Sequence, residues 1–204
     1  MGGVFMRKII ILATLFMFVV YCGGLVEDMQ TMHNGIIRLH VVGASDSEAD
    51  QRVKLAVKDA VNVHLQDKLQ PIDSIEEAKV ILEREMDSIQ AVAEQVLRFN
   101  GFSDTVTVSL EKEVFPIREY ETFTLPSGVY ESLRIRIGNA EGRNWWCVVF
   151  PSLCLPAESN SEDVPASHGF SDRLYDTLTG EDGYEIRFFL LDWLGQLQNI
   201  WFAS

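Results

Sequence analysis

The chain has 204 residues, with 17 Lys and Arg against 30 Asp and Glu, a formal charge of -13, 47% apolar residues and six prolines. This length fits one domain with tails, the apolar fraction supplies a core, and wholesale disorder is excluded. A generally basic nucleic-acid surface is excluded too, because phosphate neutralisation needs clustered Lys and Arg, and three cysteines are too few for a disulfide-dense scaffold.

At the N-terminus, Arg7-Lys8 precedes an apolar run from Ile9 to Cys22, and no charge follows until Glu27. A positive n-region followed by an apolar h-region is the layout of a secretory signal. The run of 14 residues rises only about 21 Å as a helix, short of the roughly 30 Å hydrocarbon thickness. Extension to Val26 gives 18 uncharged residues, which borders on a span. Residues 1–24 therefore read as a cleavable signal ending near Cys22-Gly23-Gly24, as an uncleaved signal anchor or, third, as a buried N-terminal helix of a cytosolic protein, with 25–35 as a linker. Tyr21 is too large for the small residue expected before a lipidated Cys22. The first two readings put the body outside the cytoplasm, secreted or membrane-anchored, with membrane contact through the N-terminal segment if it is uncleaved.

Residues 36–42 carry the β-branched side chains and partial alternation of a strand, broken at Gly43-Ala44. Ser47 or Asp46 can cap a helix from about 47 to 69, whose Val53, Val57, Val61 and Leu65 share a face. Ser74 and Glu77 form a capping box for a second amphipathic helix that Gly101 terminates. The period then changes to two. Residues 105–113 alternate, and in 131–137 Leu133, Ile135 and Ile137 share one face while Arg134 and Arg136 share the other. Pro126-Ser127-Gly128 is a turn. Residues 145–150 are apolar on both faces and predict a central strand. Residues 155–204 hold nine acidic and two basic side chains. Within them, 155–183 reads as a mobile acidic loop and 184–204 as a helix packing on the main domain, which spans 36–154. The pattern predicts a single compact α+β domain: one strand, two long amphipathic helices, a mainly antiparallel sheet and a C-terminal helix.

The loop at Gly43 to Asp50 sits where an anion or catalytic group would bind, but Asp46, Glu48 and Asp50 repel phosphate. Its glycines fit neither a dinucleotide fingerprint nor a P-loop, and the glycine and distal glutamate of a calcium loop are missing. His40 reads as a packed strand histidine, His64 as core edge, and His33 and His168 as loop residues. A triad of Ser45, His40 and Asp46 has no G-x-S-x-G elbow behind it. The chain thus reads as a non-enzyme without metal or cofactor, the alternative being a secreted hydrolase of cell-wall or peptide material using His40 and Asp46. Cys147 and Cys154 are either a disulfide, worth about 2.5 kcal/mol by loop entropy, or two buried hydrophobes. No further Cys or His lies nearby to complete a zinc site. Arg134, Arg136 and Arg143, the one basic concentration, are expected to pair across strands with Glu111, Glu113 or Glu119, the alternative being a grip on an acidic partner. Trp145 and Trp146 must point to opposite strand faces, one to the core and one to a partner. The expected partner contacts are Asp46, Ser47 and Asp50 in the first loop, and Arg143, Asn144 and Trp145.

Several stretches in order, residues 37–51 (IRLHVVGASDSEADQ), 54–59 (KLAVKD), 115–120 (FPIREY), 125–134 (LPSGVYESLR), 138–154 (GNAEGRNWWCVVFPSLC) and 184–188 (YEIRF), resemble stage II sporulation protein R of endospore-forming bacteria. Gly43-Ala44 stands where that family has Ala-Asn, and Ser152 where a second Pro is usual. The resemblance implies a signalling protein made in the forespore and exported into the space between the two sporulation membranes. There it would activate a membrane-embedded aspartic protease of the mother cell, which matures the precursor of an early sigma factor. It brings no catalytic residues with it.

Overall fold

The computed structural model describes residues 2–119, 124–151 and Gln196. The expectations for 155–183 and 184–204 lie outside the described residues.

Helix α1 runs without a break from Gly2 to Gly35. Its side chains are exposed from Phe5 to Tyr21, whereas Met32 and His33 are buried against the body. Among the described residues no helix is long and apolar enough to cross a membrane. The stretch 25–35, expected as a linker, is the end of this helix. His33, expected in a loop, sits edge-on to Tyr130 with ring centroids 4.5 Å apart. It occupies the space beside Gly128, where a Cβ would lie 2.2 Å from its ring. A side chain at 128 would displace this ring, so glycine is what lets His33 pack against the sheet here.

Strand β1 (Ile37–Val42) is buried at every residue. Helix α2 (Glu48–Leu69) starts at Ser47, whose Oγ accepts the Asp50 amide at 3.1 Å. Helix α3 (Ile75–Phe99) ends at Gly101, whose φ of +82° suits glycine, and the Phe102 amide returns to the Leu97 carbonyl at 2.9 Å. Strand β2 (Val106–Phe115), the short pair β3 (Arg118–Glu119) and β4 (Thr124–Leu125), β5 (Gly128–Ile137) and β6 (Asn144–Phe150) follow. The four-stranded sheet has the order β2-β5-β1-β6, with β1 parallel to β5 and the other pairings antiparallel. The α+β architecture and mainly antiparallel sheet agree with the sequence.

Strand β6, expected to be central, lies at the end of the described sheet, and β1 is central instead. Cys147, Val148, Val149 and Phe150 are all buried, so the apolar run records two covered faces, not a central position.

One sheet face carries Ile37, Leu39, Val41, Leu133, Ile135 and Val149 and packs on α2 and α3 through Val57, Val61, Leu65, Leu82, Ile89 and Ala93. Each large aliphatic side chain so buried contributes about 1.5–3 kcal/mol.

At the outer edge of the helix pair, Glu85 of α3 accepts from Lys68 of α2 and from Ser88 Oγ at 2.6 Å, with His64 Nε2 at 3.3 Å. The hydrogen bond from Lys68, then that from Ser88, hold its carboxyl at about 2 against an ordinary value of 4.5. A carboxyl depressed in the folded state stabilises fully above its unfolded value and loses that contribution as pH falls. Urea midpoints should therefore fall more steeply from about pH 4.5 to pH 2 in the native chain than in Glu85→Gln. Parallel slopes would show that this clamp does not stabilise the fold.

Candidate partner-binding site

The loop between β1 and α2 meets the turn between β5 and β6. The Gly142 amide donates to the Gly43 carbonyl at 2.9 Å and the Glu141 amide to Ala44 at 3.3 Å. The Asp46 carboxylate accepts the Arg143 amide at 2.6 Å and lies 3.6 Å from its Nε. Ser45 Oγ donates to Asp50 and accepts the Ser47 amide at 3.1 Å. Beneath them, Lys54 Nζ donates to Gln51 Oε1 at 2.6 Å and to the Arg143 carbonyl at 2.8 Å, while Gln51 Nε2 donates to the Ser45 carbonyl at 2.8 Å. Lys54 is buried. Desolvation, then the Arg143 guanidinium, lower its pKa, and Asp46 opposes them.

Asn144 opens β6, and its Oδ1 lies 3.0 Å from His40 Nε2. Trp145 is 36% exposed, with the Lys58 ammonium 5.0 Å from its ring centroid. Trp146 points the other way and stacks on His40 at 3.9 Å. The structure therefore gathers Asp46, Ser47, Asp50, Arg143, Asn144 and Trp145 at one end of the sheet. Ser47 and Asp50 also serve the start of α2. Arg134 and Arg136 pair with the β2 carboxylates as expected, but Arg143, expected to join them, lies in the turn before β6 and takes Asp46 instead.

The sheet face turned away from α2 and α3 is polar and largely buried. Arg134 reaches Glu111 at 3.0 Å and Glu113 at 2.9 Å, and Arg136 reaches Glu111 at 2.9 Å. Glu113 faces His40 Nδ1 at 3.1 Å. Burial raises the Glu113 carboxyl, but bonding to His40 and the Arg134 charge outweigh it and hold it below its ordinary value. Arg38 is fully buried, 4.1 Å from the Phe115 ring centroid and 5.1 Å from that of Tyr130. His40 and Asp46, the pair on which a hydrolase would rest, are thus engaged with different partners.

Cys147 is disulfide-bonded, and Cys154 lies outside the described residues. Among the described residues no cluster of three His, Cys, Asp or Glu side chains could hold a metal.

Gln51, Lys54 and Gly142 were not anticipated. Lys54 left a signal, since it stands on the apolar stripe between Val53 and Val57, where a cation must find buried acceptors.

A sequence profile of the stage II sporulation protein R family matches residues 33–160. The stage II sporulation protein R of Bacillus subtilis (strain 168) is 32% identical over 223 aligned positions, covering 94% of this chain and 99% of that protein. No solved structure matches the chain. The profile begins at His33, where α1 meets the body, and it takes in the sheet, both helices and the loop cluster described above. The chain belongs to the stage II sporulation protein R family.

Proposed function

We propose that the protein is an exported sporulation signal. Made in the forespore, it crosses the forespore membrane on its N-terminal segment and, between the two membranes, activates a membrane-embedded aspartic protease of the mother cell. The protease then matures the precursor of an early sigma factor. One observation carries the reading: the likeness to the Bacillus subtilis protein covers 94% of the chain, so it extends beyond the body into the apolar N-terminal segment. The protein supplies a binding surface, and bond cleavage belongs to the protease.

The surface around Asp46, Arg143, Asn144 and Trp145 is the contact. It combines an exposed Arg143, 70% accessible at its side chain, with a half-buried tryptophan. Arg and Trp are the side chains that most often dominate binding. Purified full-length protein added to membranes bearing the protease should start precursor cleavage. If it left the protease inactive while crude forespore extract activated it, direct activation would be wrong. Trp145→Ala should weaken the response about 30-fold, the equivalent of a 2 kcal/mol hot spot, at a temperature where the variant is still folded. An unchanged response would move the contact elsewhere on the molecule.

A further inference from the structure

We propose that Asn144 is a hydrogen-bond polarity switch on the partner surface, set by the proton on His40. The proposal rests on the contact surface assigned above.

His40 is 3% exposed and fixed on every side. Its Nδ1 lies 3.1 Å from both carboxylate oxygens of Glu113, its ring is stacked on Trp146, and the Phe115 ring stands edge-on with its centroid 6.2 Å away. Its Nε2 faces Asn144 Oδ1 at 3.0 Å. Among the described residues, the charged groups facing it are Glu113 from β2, with Glu111 beyond, and Arg134 from β5, its register partner. Arg38 shares its strand face, and Arg118 of β3 lies 5.9 Å from the Trp146 ring centroid. Strand β6 adds no charge, and α2 and α3 pack on the opposite face of the sheet.

A carboxylate only accepts, so Nδ1 keeps its proton in both charge states. An amide oxygen also only accepts, so Nε2 carries a proton whenever Oδ1 faces it. When that proton leaves for water, the Nε2 lone pair faces a second acceptor. A half-turn of the Asn144 amide then presents Nδ2–H to the ring at no change in volume, because this terminal torsion is roughly two-fold. The backbone stays in place, held by the pairing of Val42 with Asn144 and by the grips of Asp46 and Lys54 on Arg143. Only the amide turns.

Asn144 is exposed between Arg143 and Trp145, so its outward group changes. With His40 charged it offers an NH2 donor, and with His40 neutral a carbonyl acceptor. A partner segment presenting a carbonyl acceptor, which the carboxylates of this loop do not repel, meets the donor form. Binding should strengthen when His40 carries its second proton.

The test is an NMR titration of the full-length protein in detergent micelles, with the Asn144 side-chain NH2 signals assigned by their loss in Asn144→Ala. The expected result is that these signals and the His40 ring signals move with one shared midpoint, and that the Asn144 response vanishes in His40→Gln. Static Asn144 signals while His40 titrates, no His40 titration between pH 4 and 9, or a response that survives in His40→Gln would each overturn the switch. If His40→Gln does not fold, the shared or separate midpoint in the native chain decides. No partner is present, so failure here leaves the contact surface standing, and loss of the contact surface leaves the titration intact. A partner affinity that rises at least fivefold across the measured His40 midpoint in the native chain, and not in Asn144→Ala, supports the carbonyl acceptor. A flat affinity overturns it.

Discussion

Gly142→Ala is expected to destabilise the fold by about 3 kcal/mol, which for a domain of this size lowers the melting temperature by about 6–12 °C. The added Cβ would lie 2.3 Å from the Ser45 carbonyl oxygen, 2.7 Å from its carbon and 2.9 Å from the Gly43 oxygen. All three are backbone atoms, so no side chain can rotate away. One of the two loops must move, taking with it the Asp46 bond to the Arg143 amide and the Lys54 bond to the Arg143 carbonyl. Gly101→Ala is the contrast. Nothing lies within 4 Å of a Cβ there, and only the φ of +82° opposes it, at about 1 kcal/mol. Thermal denaturation of the two variants side by side checks the claim. Equal losses would mean that the close approach of the loops is not what makes Gly142 necessary.

Phe115→Ala should cost about 3–5 kcal/mol, as removal of a fully buried aromatic ring does. Phe115 is 0% exposed and forms the centre of the polar face: Arg38 lies over its ring, Tyr130 and Trp146 stand edge-on at 5.8 and 4.7 Å, and His40 adjoins it. The cavity would uncover a buried guanidinium as well as carbon, and polar neighbours cannot collapse into it without losing hydrogen bonds. Phe115→Leu keeps most of the volume but loses the aromatic contacts, and should cost less than half as much. Urea denaturation distinguishes these outcomes. A cost below 1.5 kcal/mol for Phe115→Ala would show that this face is not an integral second core.

The periodic parts of the fold were legible because local spacing decides them. The Val53, Val57, Val61 and Leu65 stripe and the alternation of Leu133, Ile135 and Ile137 with Arg134 and Arg136 require only that one face be buried. The position of β6 was not legible. Its apolar run reports how many faces are covered, while its place beside β1 depends on β5 taking the other side of β1, a pairing between residues far apart in sequence. The burial of His33 was hidden for a similar reason, since the glycine that admits it is Gly128, far along the chain. For the candidate site, residue types pointed to the loop and to the Arg-Asn-Trp segment, but not to their junction. The Asp46 to Arg143 bond spans 97 positions and is made by a backbone amide, which leaves no trace in side-chain pattern. Lys54 was readable as an anomaly on its helix, though its acceptors were not.

Direct contact through the Asp46 to Trp145 surface is tested by equilibrium binding of detergent-solubilised full-length protein to the membrane-embedded protease in lipid nanodiscs. Saturable binding is expected, weakened at least tenfold by Arg143→Glu; the variant loses the side-chain pair with Asp46 but stays folded, since the backbone groups of residue 143 keep their bonds to Asp46 and Lys54. Absence of saturable binding by the native chain, or native affinity in the Arg143→Glu variant, would contradict it.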